Sequence, residues 1–335
     1  GDHGPLQVGE QQNPRPVSQA FVAAAIEAGI PANADFNGAE QEGAGHYQLT
    51  VKHGRRNSAA RAFLRPAMKR KNLQVITGAQ VTRVPFEGRR AVGVEYVKDG
   101  QRHELRCNAE VILSGGAVNS PQLLQLSGVG PGALLQGLGI GVVQDNANVG
   151  DHLSDHQGIN YTWRMKVPTY NDLLRPWWGK LFVGMQYFLT GGGPLAKSIN
   201  HAGGFFRTRP DLPRPNMQLY LQAFSTLLPK AGERPLLTPD PFPGLSIGLS
   251  NCRPTSRGHI RIRSADPLQH PVITANAYAT ENDVEEMLAA VKFLRHIAAQ
   301  PAMARWIDEE LRPGPAIQSD ADMIADFRLR SGTVY

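Results

Sequence analysis

Residues 111–130 read VILSGGAVNSPQLLQLSGVG, and no other stretch limits the architecture as much. Val111, Ile112 and Leu113 have the composition of a short buried strand, and they run straight into Gly115 and Gly116. A strand that ends in glycines and turns into a helix leaves N–H groups and a partial positive charge at the turn, the usual cradle for phosphate or ribose oxygens. Gly115 and Gly116 carry no Cβ and so permit close approach. Ser120 is placed to cap the helix, with Pro121 at its first position, where a missing N–H costs nothing. Gly128 and Gly130 then end it. Taken alone, the glycines suit a tight strand-to-helix turn without a ligand equally well.

Around this turn the chain alternates strand and helix patterns, as an α/β protein does. Residues 17–28 (VSQAFVAAAIEA) place Val17, Phe21, Ala24, Ala25 and Ala28 on one helical face and stop at Gly29 before Pro31. A second helix is expected from Ser58 to Ala67, with Ser58 as its cap. Strands are expected at 73–79, 81–86, 90–97 and 103–108, and Gly88 and Asp99-Gly100 between the last three predict a meander. From about residue 156 the texture shifts to segments rich in Pro, Trp and Gly, which suggests a second domain. There LRPWWGKLFVGMQYFLTGGGP at 174–194 repeats large apolar residues at helical spacing, a stripe expected to be core rather than membrane contact. Residues 232–244 are a proline-punctuated loop, 256–267 alternate like a strand, and 280–300 form the clearest helix of the chain.

At 335 residues the chain is long enough for two domains. Lys and Arg are scattered despite a formal charge of +6, with neither a basic stripe nor a base-stacking motif, so no nucleic-acid partner is expected. Cys107 and Cys252 lie far apart without CxxC spacing, which argues against a zinc site or a disulfide framework. His152 and His156 are four apart, as two ligands on one helical face would be, yet no metal is expected from a pair alone. No apolar run is long enough to cross a membrane, and the sequence does not begin with Met.

The wider pattern narrows these readings. Gly116-Ala117, Ser120-Pro121, Leu123-Leu124 and Ser127-Gly128-Val129-Gly130 together resemble the second sequence signature of the glucose-methanol-choline oxidoreductases, flavoenzymes that oxidise alcohols with FAD. Further blocks at 35–75, 91–97, 148–156, 202–211 and 256–267 are similar to the family's blocks and follow its order. The resemblance implies a Rossmann-like FAD-binding domain and a second α+β domain whose antiparallel sheet roofs the substrate cavity. On that basis 1–55 link the domains, 56–155 belong to the FAD domain, 156–327 form the substrate domain and 328–335 start the return. Val81 corresponds to the residue whose backbone meets adenine, and Ser114, Gly115, Gly116 and Ala117 to the loop beside the ADP portion.

The departures from the family are equally specific. The chain holds no GxGxxG, and the His block that supplies the family's catalytic base would follow Tyr335. The resemblance therefore implies an incomplete chain with no catalytic residue of its own, which does not turn over alone. Choline-oxidising relatives carry a Glu where this chain has His201, so His201 is the candidate substrate-pocket residue and the implied substrate is an uncharged primary alcohol. The other reading of His201 is a hydrogen-bonded packing residue. For the complete enzyme the implied reaction is oxidation of the alcohol to an aldehyde by hydride transfer to flavin, with a quinone, a cytochrome or oxygen as acceptor. A lyase on the same fold and a non-catalytic fragment that binds a partner are the alternatives. The implied location is cytoplasmic or peripheral to a membrane.

Overall fold

The computed structural model describes residues 4–11, 13–227 and 238–334. Two expectations fall outside them: the loop at 232–244 as far as residue 237, and Tyr335, the residue the family's His would follow. The chain divides into two compact units, one built from Gly1–Arg70, His156–Arg253 and Glu281–Tyr335, the other from Lys71–Asp155 and Pro254–Thr280.

The first unit is organised by a seven-stranded antiparallel sheet. Its strands run in the order Gly43–His46, Asn200–Phe206, Met217–Gln222, Gly244–Asn251, Gln157–Met165, Ile307–Arg312, and Gly332–Thr333 also pairs with Gln157–Met165. Alternation sorts its two faces. Leu219, Leu249 and Ile159 form one buried row, and Leu221, Ile247 and Tyr161 form the next. The Pro16–Glu27 and Glu281–Ala298 helices contact strands of this sheet, and Phe206 of the sheet meets Phe293 of the second helix with ring centroids 4.9 Å apart. Between them the helices bury Phe21, Ala24, Val291 and Leu294. The opposite face has a different construction. Gly45, Gly203, Tyr220, Gly248 and Asn160 form one row across five strands. A Cβ on Gly248 would lie 2.2 Å from the Tyr220 ring, and one on Gly203 would lie 2.4 Å from the Tyr47 ring, so the glycines hold open the space that two tyrosines occupy. Arg295 fixes the outer part of the sheet. Its guanidinium donates to both carboxylate oxygens of Glu310, at 3.0 and 2.7 Å, and stands 5.4 Å over the Tyr161 ring.

The second unit holds the meander expected from the turn signals, with Ala79–Arg83, Gly93–Lys98 and Gln101–Arg106 as its antiparallel strands. Beside it the Gly116–Leu126 helix leads into Val129–Gly130, which pairs in parallel with Gln144–Asp145. His259–Arg261 and Val272–Thr274 add a hairpin. Leu126, Leu135 and Ile262 pack together at the centre.

Several local expectations are corrected. Neither 73–77 nor 111–113 is a strand. A short apolar segment becomes a strand only when another strand satisfies its backbone, and among the described residues none lies along either segment; Ile112 is 76% exposed. The helix after Ser58 is a π-helical turn, Ala60–Leu64, continued by Arg65–Ala67, and Ser58 contributes its carbonyl rather than its hydroxyl. The signature helix starts at Gly116, not Ser120. A φ of +82° at Gly116 turns the chain one residue after Gly115, so Pro121 lies inside the helix and the Ser120 hydroxyl reaches back to accept from the Gly115 N–H at 3.0 Å. The Trp177–Thr190 helix also reverses expectation: it buries Gly179 and Val183 and leaves its large apolar residues in solvent.

The buried rows make the sheet's stability sensitive to single side chains. Leu221→Ala is expected to cost about 2–5 kcal/mol in urea unfolding, whereas Leu329→Ala, at an exposed site in the same unit, stays within about 0.5 kcal/mol.

Candidate functional site

Within the second unit, the turn after the meander and the first turn of the signature helix enclose a cleft of about 250 Å³. Val81 and Val94 of the meander line it from one side, Val111, Ser114 and Gly115 from the chain entering the helix, and Leu123 from the helix itself. Of the residues selected from the sequence, Val81, Ser114 and Gly115 thus meet in one cleft, while Gly116 and Ala117 sit exposed at the helix start and do not line it. Gly115 faces a tight approach, since a Cβ there would lie 3.2 Å from Asn119 Cβ and 3.3 Å from the Ser120 nitrogen. No ionisable side chain lines the cleft; its polar groups are hydroxyls and amides, including Ser114, Asn119 and Ser120. Backbone from 111 to 114 belongs to no helix or strand. Such a cleft suits a flat, uncharged heteroaromatic ring met by backbone groups, and it offers no counter-charge to a phosphate.

Two side chains that carry this arrangement escaped selection from sequence. Gln125 is fully buried. Its amide nitrogen donates to the carbonyls of Ile260 at 3.0 Å and Val149 at 3.2 Å, and its oxygen accepts from the Ile262 N–H at 2.9 Å. Ser127 accepts from the Val84 N–H at 2.9 Å and donates to the Leu123 carbonyl at 2.6 Å, which ties the helix end to the meander. The signal lay in a Gln and a Ser spaced two apart at the end of an apolar turn, where neither is needed for solubility.

His201 lies in the first unit, on the Asn200–Phe206 strand, with 2% of its surface exposed. Its Nδ1 is 3.4 Å from the Ser18 hydroxyl, and its ring meets Tyr170 edge-on at 5.5 Å. This is the hydrogen-bonded packing arrangement that the sequence leaves open beside substrate contact. Burial, with Lys197, Arg15 and His46 nearby, pushes the imidazole down to about 4, so it is neutral at physiological pH. The region 151–156 is not helical. In the second unit His152 has a φ of +58° and its Nε2 meets Asn148 Oδ1 at 3.3 Å, and Asp151 accepts from the His152 N–H at 3.1 Å. In the first unit the His156 ring meets the Cys252 carbonyl at 3.0 Å.

The fold is a mixed α/β one with antiparallel sheets, and its second unit carries an uncharged cleft beside the signature helix. The chain belongs to the GMC (glucose-methanol-choline) oxidoreductase family, whose models match residues 3–158 and 254–335. It is 39% identical to an alcohol dehydrogenase [acceptor] of Pseudomonas putida, over the whole of this chain and 60% of that protein. It is 40% identical to the mitochondrial choline dehydrogenase of Mus musculus, over the whole of this chain and 55% of that protein. The chain therefore spans little more than half the length of these curated relatives. Among solved structures, formate oxidase of Aspergillus oryzae superimposes over the whole chain and 62% of its own length with a TM-score of 0.89 at 24% identity. Pyridoxine 4-oxidase from Mesorbium loti does so over 61% of its length with a TM-score of 0.84. FAD is the cofactor of the family.

The neutral state of His201 has a consequence for stability. The unfolded chain protonates this residue near pH 6.5 and the folded chain only near 4, so between those values the unfolded state binds more protons and stability falls as pH drops. His201→Gln is expected to flatten the loss of unfolding free energy between pH 6.5 and 4, measured by urea titration at stepped pH.

Proposed function

We propose that this chain supplies the adenine-side cleft and the substrate-domain sheet of an FAD-dependent oxidoreductase that converts an uncharged primary alcohol to its aldehyde. The observation that carries the reading is the convergence of Val81, Ser114 and Gly115 on one uncharged cleft beside the family's signature helix. The residues present suit the adenine end of FAD. The cleft is apolar on the Val81, Val94 and Leu123 side, and it offers hydroxyl, amide and backbone groups on the other. When bound, the flavin serves as the electron sink for hydride leaving the alcohol carbon. Val81 and Gly115 then hold the ring by shape and backbone contact, and Ser114 and Asn119 offer polar partners at its edge.

Curated relatives divide between alcohol and choline dehydrogenases. His201 stands where choline-oxidising relatives carry a Glu, so this place holds no anion for a quaternary ammonium group, which favours an uncharged alcohol even though His201 itself is packed against Ser18 and Tyr170.

Intact mass and the visible spectrum of the purified gene product come first, followed by alcohol-dependent reduction of a dye acceptor. Oxidised-flavin bands and reduction by primary alcohols are expected, with kcat/KM for choline at least about tenfold lower. Ser114→Trp, at an exposed position on the cleft wall, is expected to lower bound flavin at least about tenfold while leaving the urea midpoint unchanged. A product without flavin, even after incubation with FAD, would overturn the reading.

A further inference from the structure

The Trp177–Thr190 helix is inside out. Placed on a wheel of 3.6 residues per turn, Trp177, Trp178, Leu181, Phe182, Phe188 and Leu189 fall within an arc of about 140°. That arc faces solvent: Trp177 is 71% exposed, Leu189 78% and Phe188 87%. The buried side is narrow, consisting of Val183 and Gly179, where a Cβ would stand 1.8 Å from the Leu173 carbonyl oxygen. Gly179 thus lets the helix dock closely by its small side and turn its large side outward. The Pro194–Ala196 turn packs on the helix and adds Leu195, itself exposed.

Charge identifies the occupant. Between Asp172 and Asp211 the chain contains no carboxylate, while Arg175, Lys180 and Lys197 lie on the helix or beside it. None of these three has an ion pair among the described residues. Arg175 and Lys197 donate to the neutral carbonyls of Pro241 and Asn13, and the Lys180 side chain extends into solvent. Burying the arc against a second copy in a two-fold contact would bring two sets of these cations into one interface, with no carboxylate from 173–210 to offset them. An apolar arc with Trp at one end and cations at its border matches the interface of an anionic bilayer, where aromatic rings sit at headgroup depth and Lys or Arg reach phosphate.

We propose that the Trp177–Thr190 helix is a membrane-surface element, which lies in the plane of an anionic phospholipid bilayer with its Trp177–Phe188–Leu189 side in the acyl boundary and Arg175, Lys180 and Lys197 at the headgroups. It does not span the bilayer, and no helix among the described residues is long and apolar enough to do so. The inference is independent of flavin binding and of the substrate.

Co-sedimentation of the purified protein with phosphatidylcholine vesicles, with and without phosphatidylglycerol, tests it. The protein is expected to partition onto the anionic vesicles more strongly than onto pure phosphatidylcholine. Leu181→Gln/Phe188→Gln, at two exposed positions, is expected to lower partitioning at least about tenfold. Lys180→Gln is expected to lower it about fivefold on anionic vesicles and leave it unchanged on pure phosphatidylcholine. Leu329→Gln, an equally exposed apolar site on the Asp320–Arg330 helix, should bind as the parent does, and circular dichroism of every variant should match it. Failure to bind vesicles would overturn the proposal, as would a loss with Leu329→Gln equal to that of the double variant. A dimer that the double variant dissolves, without vesicle binding, would do so too and assign the face to a second copy.

Discussion

A single buried amide holds the second unit in register. Gln125 uses both donors and one acceptor, and each partner is a backbone group: the Val149 and Ile260 carbonyls and the Ile262 N–H. Without it the Ile262 N–H would lose this acceptor, at a cost comparable to a lost hydrogen bond, and the Val149 and Ile260 carbonyls would keep only the Arg261 guanidinium, 3.3 Å from each. The neighbouring glycines follow from the same constraint. A Cβ on Gly150 would stand 2.3 Å from the Gln125 amide nitrogen and 2.2 Å from the Ile260 oxygen, and one on Gly130 would lie 3.0 Å from Gln125 Cγ. Ser127 repeats the device two residues later toward Val84, so the helix that borders the cleft is anchored on two sides before any ligand arrives.

The cleft and the buried histidine show two ways of managing polarity. The cleft excludes charge through its composition and leaves recognition to backbone and amide groups. His201 is titratable, and burial keeps it uncharged. On the sheet face that bears Tyr47 and Tyr220, a row of glycines makes room for aromatic rings that any side chain would displace. In each case the chain sets the electrostatics through what it leaves out as much as through what it places.

Much of this was legible in the sequence. The meander followed from turn residues such as Asp99 and Gly100, whose positive φ values of 51° and 76° the hairpin requires. The helix at 281–298 followed from an unbroken 3.6-residue period. Elements whose partners lie far away in sequence were not legible. The 111–113 segment has the composition of a strand and, among the described residues, no strand beside it, and the Trp177–Thr190 helix has the pattern of a core helix with its large face outward. Periodicity reports that a helix has an apolar side but not which way that side points. Gln125 and Ser127 were hidden for a related reason: their partners, residues 84, 149, 260 and 262, are set by tertiary structure.

The division of the chain also bears on how it is made. Neither unit is continuous: the path passes between them at 70–71, 155–156, 253–254 and 280–281. On the ribosome the Ala79–Arg106 meander and the Gly116–Leu126 helix precede what holds them: Gln125 acquires its Ile260 and Ile262 partners only after another 135 and 137 residues have been synthesised. The large sheet waits longer, because Gln157–Met165 needs Ile307–Arg312 along its free edge. Until Ile307–Arg312 is made the nascent chain therefore carries an unpaired strand edge, the state in which strands are captured by wrong partners. The second unit has all its segments once Thr280 is made, while the first still waits for the residues from Glu281 onward, and a cut at 280–281 that leaves the second whole severs the first.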